Sequence, residues 1–206
     1  TWGAGLAFRP FELGADIVVH ALTKYPSGGA DVLMGSVCSV DETLHQRLLL
    51  AHMRLGLGVA ANDAELLLRA LPSLHLRYHA QDQAARRIAA WLQQQPAVVQ
   101  VLHPALPGSP GHAHWATHCG AAAGIFSVML DERFSTAQVD AFCDGLKRFK
   151  LGYSWGGPVS LVVPYDLKSM RDPVPYAGTL VRLAIGLEAA EDLQADLEQA
   201  FSALAG

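Results

Sequence analysis

Residues 16–29 are DIVVHALTKYPSGG, a short run rich in β-branched side chains that ends in a loop of proline, serine and glycine. An apolar run of this length, bounded by turn-forming residues, is typical of a buried strand. Thr23 and Lys24 stand at the end of that predicted strand, where the chain enters the loop. The segment therefore predicts a sheet with a lysine-bearing loop at the end of one strand.

The residues that follow predict an α/β arrangement for the N-terminal part. A second strand is predicted over residues 32–40, and a helix is predicted between Asp41, a suitable N-cap, and Gly56. Two strands alone would leave unpaired edges and uncovered apolar faces, so further strands are expected before residue 1. The start at Thr1, with neither an initiator methionine nor a signal peptide pattern, agrees with a fragment.

The remainder of the chain changes in character near Pro96. From residue 62 to residue 95 the pattern is helical, with an interruption expected at Pro72. Short strands are then predicted at 98–102, 125–130 and 180–185, and helices at 135–146 and 188–204. We therefore predict that residues 1–70 are the C-terminal portion of a large domain, and that residues 71–206 form a smaller α+β domain with its connecting helix.

The composition excludes several classes of protein. Of 206 residues, 51% are hydrophobic and 17% are charged, so the chain can bury a core and is expected to be globular. A formal net charge of -4 provides no basic surface for nucleic acid, and the apolar runs are far shorter than the roughly 20 residues of a membrane-spanning helix. Three cysteines without a CxxC pair favour no disulfide framework, so a cytoplasmic protein is expected.

Lys24 is a candidate nucleophile. The amine of a partly desolvated lysine loses its proton readily and attacks an aldehyde, and the neighbouring Thr23 hydroxyl can bind a phosphate group. Most lysines at such positions are, however, solvated surface charges. The residues alone leave both interpretations open.

Two further segments contain residues suited to ligand binding. Ser154-Trp155-Gly156-Gly157 combines a hydroxyl and an indole with two glycines that let the backbone approach a ligand, although an ordinary tight turn explains it as well. Arg182 stands in an apolar, strand-like run, where a guanidinium is costly unless an anion pairs with it. That anion is either the α-carboxylate of a substrate or an internal Asp or Glu.

The densest group of metal-binding side chains contains His112, His114, His118 and Cys119. Its spacing matches neither HExxH nor a zinc finger. The surrounding prolines and glycines predict an irregular surface loop, in which histidines are solvated or contact the backbone. No metal site is therefore predicted.

Five motifs occur in an order that covers nearly the whole chain. They are TWGAG at 1–5, ALTKY at 21–25, HPALPGS at 103–109, YSWGG at 153–157 and GTLVRL at 178–183. Together they resemble the Cys/Met-metabolism family of pyridoxal phosphate (PLP) enzymes, and within it the β-lyase branch. The resemblance implies the α/β fold of a PLP-dependent transferase (aspartate aminotransferase-like, fold type I), with this chain as its C-terminal half.

The same resemblance implies a role for each matching residue. Lys24 would hold pyridoxal 5'-phosphate as a Schiff base, and Thr23 would contact the cofactor phosphate. Ser154 would orient the lysine or the substrate, with Trp155 beside it. Arg182 would bind the α-carboxylate of an amino-acid substrate.

The reaction implied is β-elimination of L-cystathionine to homocysteine, pyruvate and ammonia, a step of methionine biosynthesis, in a homotetrameric enzyme. Family γ-lyases and γ-synthases are the alternative, and they usually have Leu where this chain has Trp155. Two departures concern the cofactor: Ala21 replaces a serine that contacts phosphate in many members, and the aspartate that pairs with the pyridine nitrogen would lie two positions before Thr1. The isolated chain is thus expected to be inactive, and a catalytically silent fragment or assembly module is a further alternative.

Overall fold

A computed structural model describes residues 1–170 and 172–204 of the chain. These residues form one sheet of two strands and one of five strands, with helices packed against the larger sheet. The class is α/β, as predicted. In the described ranges, no helix combines the length and the apolar character needed to cross a membrane.

The small sheet pairs β1 (Val18–Ala21) with β2 (Gly35–Cys38) in antiparallel orientation. Both predicted strands are confirmed, although each is shorter than its apolar run. The predicted helix is α1 (Glu42–Arg54), and the Asp41 carboxylate caps it by accepting a hydrogen bond from the Leu44 N–H at 2.6 Å. The lysine loop leaves directly from the end of β1, so the small sheet fixes where that loop begins.

A broken pair of helices connects the two sheets. α2 (Ala61–Ala70) and α3 (Leu74–Leu92) are joined by a 3-10 turn (Leu71–Ser73). The interruption predicted at Pro72 is confirmed, because proline lacks the N–H that a continuous helix would need. Ile88 and other apolar side chains of α3 are fully buried in the main core.

The larger sheet has the strand order β3-β4-β7-β6-β5. Its strands are β3 (Val98–Leu102), β4 (Ile125–Leu130), β5 (Lys150–Leu151), β6 (Leu161–Tyr165) and β7 (Thr179–Ala184). All neighbours are antiparallel except the parallel pair of β5 and β6. The last strand in sequence is therefore the central one, and Arg182 lies between Ser127 of β4 and Val163 of β6.

The main core lies between the larger sheet and three helices: α3, α5 (Thr136–Asp144) and α7 (Ala190–Ala200). Its buried side chains include Ile88, Phe126, Phe142, Leu183 and Leu197. Burying each such side chain stabilises the fold by roughly 1.5–3 kcal/mol. A 3-10 turn (Phe201–Leu204) follows α7, so the predicted C-terminal helix is confirmed with a tighter last turn.

Some elements differ from the prediction. The irregular loop predicted from the prolines and glycines is confirmed at residues 104–111, but the histidines that follow lie in a helix, α4 (His112–His118). α6 (Leu167–Met170) and β5 are too short to give a pattern. β6 contains Pro164, which normally argues against a strand inside a sheet. Among the described residues, no three or more His, Cys, Asp or Glu side chains are grouped as metal ligands. The division into domains at residue 70 stays a prediction.

Candidate active site

Lys24 lies in the loop after β1 and is half-buried. Its amine donates a hydrogen bond to the Ser154 hydroxyl at 3.1 Å and lies 5.4 Å from the centre of the Trp155 ring. Within the described part of the chain, Lys24 forms no ion pair with Asp or Glu. The structure thus places three of the predicted site residues together, although Lys24 and Ser154 are 130 residues apart in the sequence.

Two glycines allow this contact. Gly156 has φ +78°, and a Cβ there would lie only 2.9 Å from the Tyr25 nitrogen. A Cβ on Gly157 would lie 2.9 Å from the Ala30 Cβ. The Gly156-Gly157 pair is therefore required for the segment that carries Ser154 to approach the lysine loop.

Tyr25, next to Lys24, anchors the loop in the interior. It is completely buried, and its ring packs edge-on against Tyr78 and Trp155, with ring centres 4.9 Å and 5.7 Å away. Its hydroxyl accepts a hydrogen bond from the Gly124 N–H at 2.8 Å. Burial raises the pKa of the Tyr25 phenol, so the ring stays neutral and serves as a fixed support.

Arg182 enters the site from the centre of the larger sheet. Its Nη2 donates to the carbonyls of Tyr153 at 2.6 Å and Ser154 at 3.3 Å, and its guanidinium lies 5.5 Å from the centre of the Tyr165 ring. Its buried Nε has no hydrogen-bond partner among the described residues, and no described Asp or Glu forms an ion pair with it. Of the two anions left open by the sequence, the internal carboxylate is thus not observed there.

The Thr23 hydroxyl is occupied by backbone groups. Its oxygen accepts a hydrogen bond from the Met34 N–H at 3.0 Å, and its O–H donates to the Met34 carbonyl at 3.3 Å. To contact a phosphate oxygen, the hydroxyl must turn its proton away from this carbonyl. The predicted phosphate contact therefore stays a prediction.

Three neighbours of the site have no counterpart in the sequence prediction. Arg77 and Gln81 of α3 hydrogen-bond to the loops of Lys24 and Ser154, and Tyr165 packs on Arg182. Arg77 and Gln81 are polar residues four positions apart on a helix that also carries apolar side chains, and this spacing indicated that the two lie on one face. Nothing in the local sequence distinguishes Tyr165.

Sequence similarity identifies the family. Residues 1–202 match the profile of the family described as Cys/Met metabolism PLP-dependent enzyme. The chain belongs to this family. The resemblance carried by the five motifs is therefore confirmed, and pyridoxal phosphate is the cofactor of the family.

Relatives in the Cys/Met metabolism family have more than one activity. A putative cystathionine beta-lyase of Rhizobium johnstonii is 42% identical over 98% of this chain and 52% of that protein. An L-alanine/L-glutamate racemase of Wolbachia pipientis is 34% identical over 99% of this chain and 51% of that protein. The chain thus spans about half the length of the curated relatives it matches.

A crystal structure from the Cys/Met metabolism family has the same fold. Cystathionine gamma synthase from Xanthomonas oryzae, in complex with cystathionine, has a TM-score of 0.88 at 36% identity, over 97% of this chain and 53% of that chain. The fold is therefore that of about half of a PLP-dependent Cys/Met metabolism enzyme, as the sequence predicts for the C-terminal half.

Proposed function

We propose that this chain is part of a carbon–sulfur lyase that eliminates homocysteine from L-cystathionine, a cystathionine β-lyase of methionine biosynthesis. One observation carries the proposal. The Lys24 amine and the Arg182 guanidinium both contact Ser154, the amine at its hydroxyl, 3.1 Å away, and the guanidinium at its carbonyl, 3.3 Å away. A base and a carboxylate-binding group around one residue suit the removal of a proton next to a carboxylate.

The residues present fit pyridoxal phosphate. In the described part of the chain, the Lys24 amine has a neutral hydroxyl as its hydrogen-bond partner, so no carboxylate holds it away from an aldehyde. Lys24 would hold the cofactor covalently and Thr23 would contact its phosphate. When bound, the cofactor withdraws electrons from Cα of an amino acid.

The side chains of this chain then have separate tasks. Arg182 binds the α-carboxylate, for which its buried Nε is an available donor. The Lys24 amine would remove the Cα proton of the substrate, and Ser154 would keep this amine in place. Homocysteine leaves from Cβ, and hydrolysis of the remaining three carbons gives pyruvate and ammonia.

Trp155 favours β-elimination over chemistry at Cγ. Its ring lies beside the Lys24 amine and packs edge-on against the buried Tyr25. An indole fixed in this way leaves a substrate little room to bend toward reaction at Cγ. A γ-lyase or γ-synthase of the family is the alternative.

Product analysis tests this choice. In an assay of the enzyme that contains this chain with L-cystathionine, we expect homocysteine and pyruvate in equal amounts. Trp155→Leu is expected to raise the share of Cγ products. Trp91→Leu, at a partly buried position that packs against the core and Phe201, should leave the ratio unchanged. Cysteine with 2-oxobutyrate as the main products of the unmodified enzyme would contradict the proposal.

Attachment to Lys24 is tested on the 206-residue chain itself. Pyridoxal phosphate is added, the mixture is reduced with borohydride, and the modified peptide is located by mass spectrometry. We expect weak retention, because most cofactor contacts implied by the resemblance lie outside this chain, with the label on Lys24 and lost in Lys24→Ala but not in Lys150→Ala. Equal labelling of all lysines would favour a catalytically silent module, and stable stoichiometric binding would contradict the expected weakness.

The proposed enzyme is a cytoplasmic homotetramer. Support for association comes from large apolar side chains that are exposed on α1 and α2, among them Leu49, Met53 and Leu68. Analytical ultracentrifugation of the enzyme that contains this chain tests the assembly. A monomer at micromolar concentration would be incompatible with it.

A further inference from the structure

One face of α3 reaches all three segments of the candidate active site. Arg77 and Gln81 are four residues apart in α3, so their side chains lie on the same face, one turn from each other. Arg77 contacts the loop of Lys24. Gln81 contacts the loop of Ser154 and the end of the strand that carries Arg182.

Arg77 fastens the lysine loop to the corner between α2 and α3. Its Nη1 donates to the Tyr25 carbonyl at 2.6 Å, and its Nη2 donates to the Ala70 carbonyl at 3.0 Å. The chain at Gly28 passes so close to the guanidinium that a Cβ there would lie 3.1 Å from the Arg77 Cζ. The residue directly after Lys24 is therefore held through its backbone.

Gln81 joins the other two segments. It is 1% exposed, and its Nε2 donates to the carbonyls of Gly157 at 2.8 Å and Ile185 at 3.1 Å. These acceptors follow Ser154 and Arg182 by three residues each. The Gln81 Oε1 has no partner among the described residues, and a buried acceptor without a partner destabilises a fold.

A buried series of hydrogen bonds completes the connection. The Gly124 N–H donates to the Tyr25 hydroxyl at 2.8 Å, and the Ile185 N–H donates to the Gly124 carbonyl at 2.6 Å. The Ile185 carbonyl then accepts from Gln81. The series runs without a gap from the neighbour of Lys24 to Gly157, so the two loops and the strand end share one set of contacts.

We propose that Arg77 and Gln81 are positioning residues that hold Lys24 against Ser154 and fix both relative to Arg182. We call Arg77 and Gln81 with these hydrogen bonds the clamp. Its catalytic role rests on the proposed function, because that role assumes that Lys24 and Arg182 act on one substrate. The contact of Lys24 with Ser154 joins two side chains of this chain, so it can be followed without an activity assay. The effect of the clamp on this contact can therefore be measured independently of catalysis.

The test measures how fast Lys24 reacts with a small amine-directed ester in the 206-residue chain. Gln81→Met keeps the length of the side chain and removes both donors together with the unpartnered oxygen. We expect near-native thermal unfolding but about tenfold faster labelling of Lys24 relative to Lys150, since one net hydrogen bond changes a local opening equilibrium by about that factor. Gln83→Met, on the exposed side of α3, is the matched control and should not change the ratio.

Arg77→Lys gives a second, independent measurement. It keeps the charge but cannot span both carbonyls, so we expect the same selective rise, with Arg69→Lys on the exposed part of α2 as its control. An unchanged ratio of Lys24 to Lys150 in folded Gln81→Met and Arg77→Lys would overturn the proposal. Labelling that rises for all lysines together would overturn it as well, because only general stability would then be affected.

The outcome is separate from that of the proposed function. If labelling rises in the variants but borohydride reduction places no cofactor on Lys24, the clamp stands and the proposed function fails. If the cofactor attaches to Lys24 but the labelling ratio does not change, the function stands and the clamp fails. In the enzyme that contains this chain, Gln81→Met should lower kcat more than it raises KM, because Arg182 keeps its own strand contacts.

Discussion

Ser154 contacts the Lys24 amine and the Arg182 guanidinium through two different groups, so the two contacts can be removed separately. Its hydroxyl contacts the Lys24 amine, whereas its backbone carbonyl accepts from Arg182. A change of side chain removes the first contact and leaves the second. The positions of the proposed base and of the proposed carboxylate-binding group can therefore be examined one at a time.

Ser154→Ala should reduce kcat with little change in KM. We expect a loss of about 10- to 100-fold in kcat, since a hydrogen bond to a group that becomes charged is worth about 1.5–3 kcal/mol. Steady-state kinetics with L-cystathionine in the enzyme that contains this chain measures both constants. Ser109→Ala is a control outside the site, and a rise in KM at constant kcat for Ser154→Ala would argue against the role in holding Lys24.

His103 makes the chain sensitive to acid. It is completely buried, its Nδ1 accepts a hydrogen bond from the Ala105 N–H at 3.2 Å, and burial lowers its pKa from 6.5 to about 4. Between these values the unfolded chain binds a proton that the folded chain does not, so stability is complete above pH 6.5 and falls as the pH drops toward 4. We expect a loss of up to about 3 kcal/mol in the free energy of unfolding.

Urea unfolding at several pH values between 7 and 4 measures this loss. His103→Phe should remove most of the pH dependence in that window, because no proton is then taken up at the site. His114→Phe, at an exposed position, should keep it. Equal slopes for the native chain and His103→Phe would be evidence against the assignment.

At the scale of single residues, the sequence predicted which residues lie in the candidate site better than it predicted their hydrogen-bond partners. Lys24, Ser154, Trp155 and Arg182 gather as the motifs indicate. The occupied Thr23 hydroxyl could not be predicted, because its partner belongs to the other strand of the small sheet. Arg77 and Gln81 could not be predicted for a similar reason. They bind backbone carbonyls of distant segments, and every residue type has a backbone carbonyl, so the sequence does not show which ones are bound.

At the scale of elements, Asp196 of α7 organises the turn between α5 and β5. It is 5% exposed, and its carboxylate accepts hydrogen bonds from the backbone N–H groups of Lys147, Arg148 and Phe149. These N–H groups lose their shared acceptor if the carboxylate is absent. One side chain thereby attaches the last helix to the edge of the larger sheet.

Asp196→Ala should lower the free energy of unfolding by about 3 kcal/mol, because several buried donors lose a charged acceptor at once. Thermal or urea unfolding of the 206-residue chain measures the change. Asp192→Ala, exposed on the same helix, is the control and should change stability by less than about 1 kcal/mol. A comparable loss in both variants would point to helix charge rather than to the buried turn.

Segments with a clear apolar pattern were predictable as elements, and segments without one were not. α1, α3, β4 and β7 each have enough residues to show a helical or strand pattern. β5, with two residues, and β6, with its proline, show no such pattern. Both strands form because they pair with a neighbouring strand: β6 pairs with β7, and β5 pairs with β6.

For the whole molecule, apolar exposure is concentrated at the N-terminal elements. The most exposed large apolar residues include Leu33 at 91%, Val40 at 79% and Leu55 at 71%, and every residue from 51 to 60 is exposed. The larger sheet, by contrast, has a well-covered core. This asymmetry agrees with a chain that spans about half the length of its relatives.

The isolated chain should bind an environment-sensitive apolar dye and self-associate. We expect that replacing Leu33 and Leu55 by Lys lowers dye fluorescence and association severalfold, since both side chains are apolar and largely exposed. Leu187→Lys, an exposed leucine next to the larger sheet, should have little effect. Dye titration and light scattering measure the two quantities, and equal effects of all three substitutions would contradict a localised surface.

The family was predictable because its motifs extend over nearly the whole chain and their order is itself informative. The way in which the two sheets meet was not, since it depends on the contacts of α3 with three remote segments. Periodicity reports which face of a helix is apolar, but not which loops its polar face binds.

The central position of β7 has a consequence for biosynthesis. β7 follows the four other strands of the larger sheet in the sequence, yet β4 and β6 pair only with it and with the outer strands among the described residues. While the ribosome is still making the residues before 179, the larger sheet lacks its central strand. The carbonyls of Tyr153 and Ser154 then have no Arg182 guanidinium from which to accept a hydrogen bond. The nascent chain can therefore form its helices early, but the site can be assembled only after Arg182 and the rest of β7 have been synthesised.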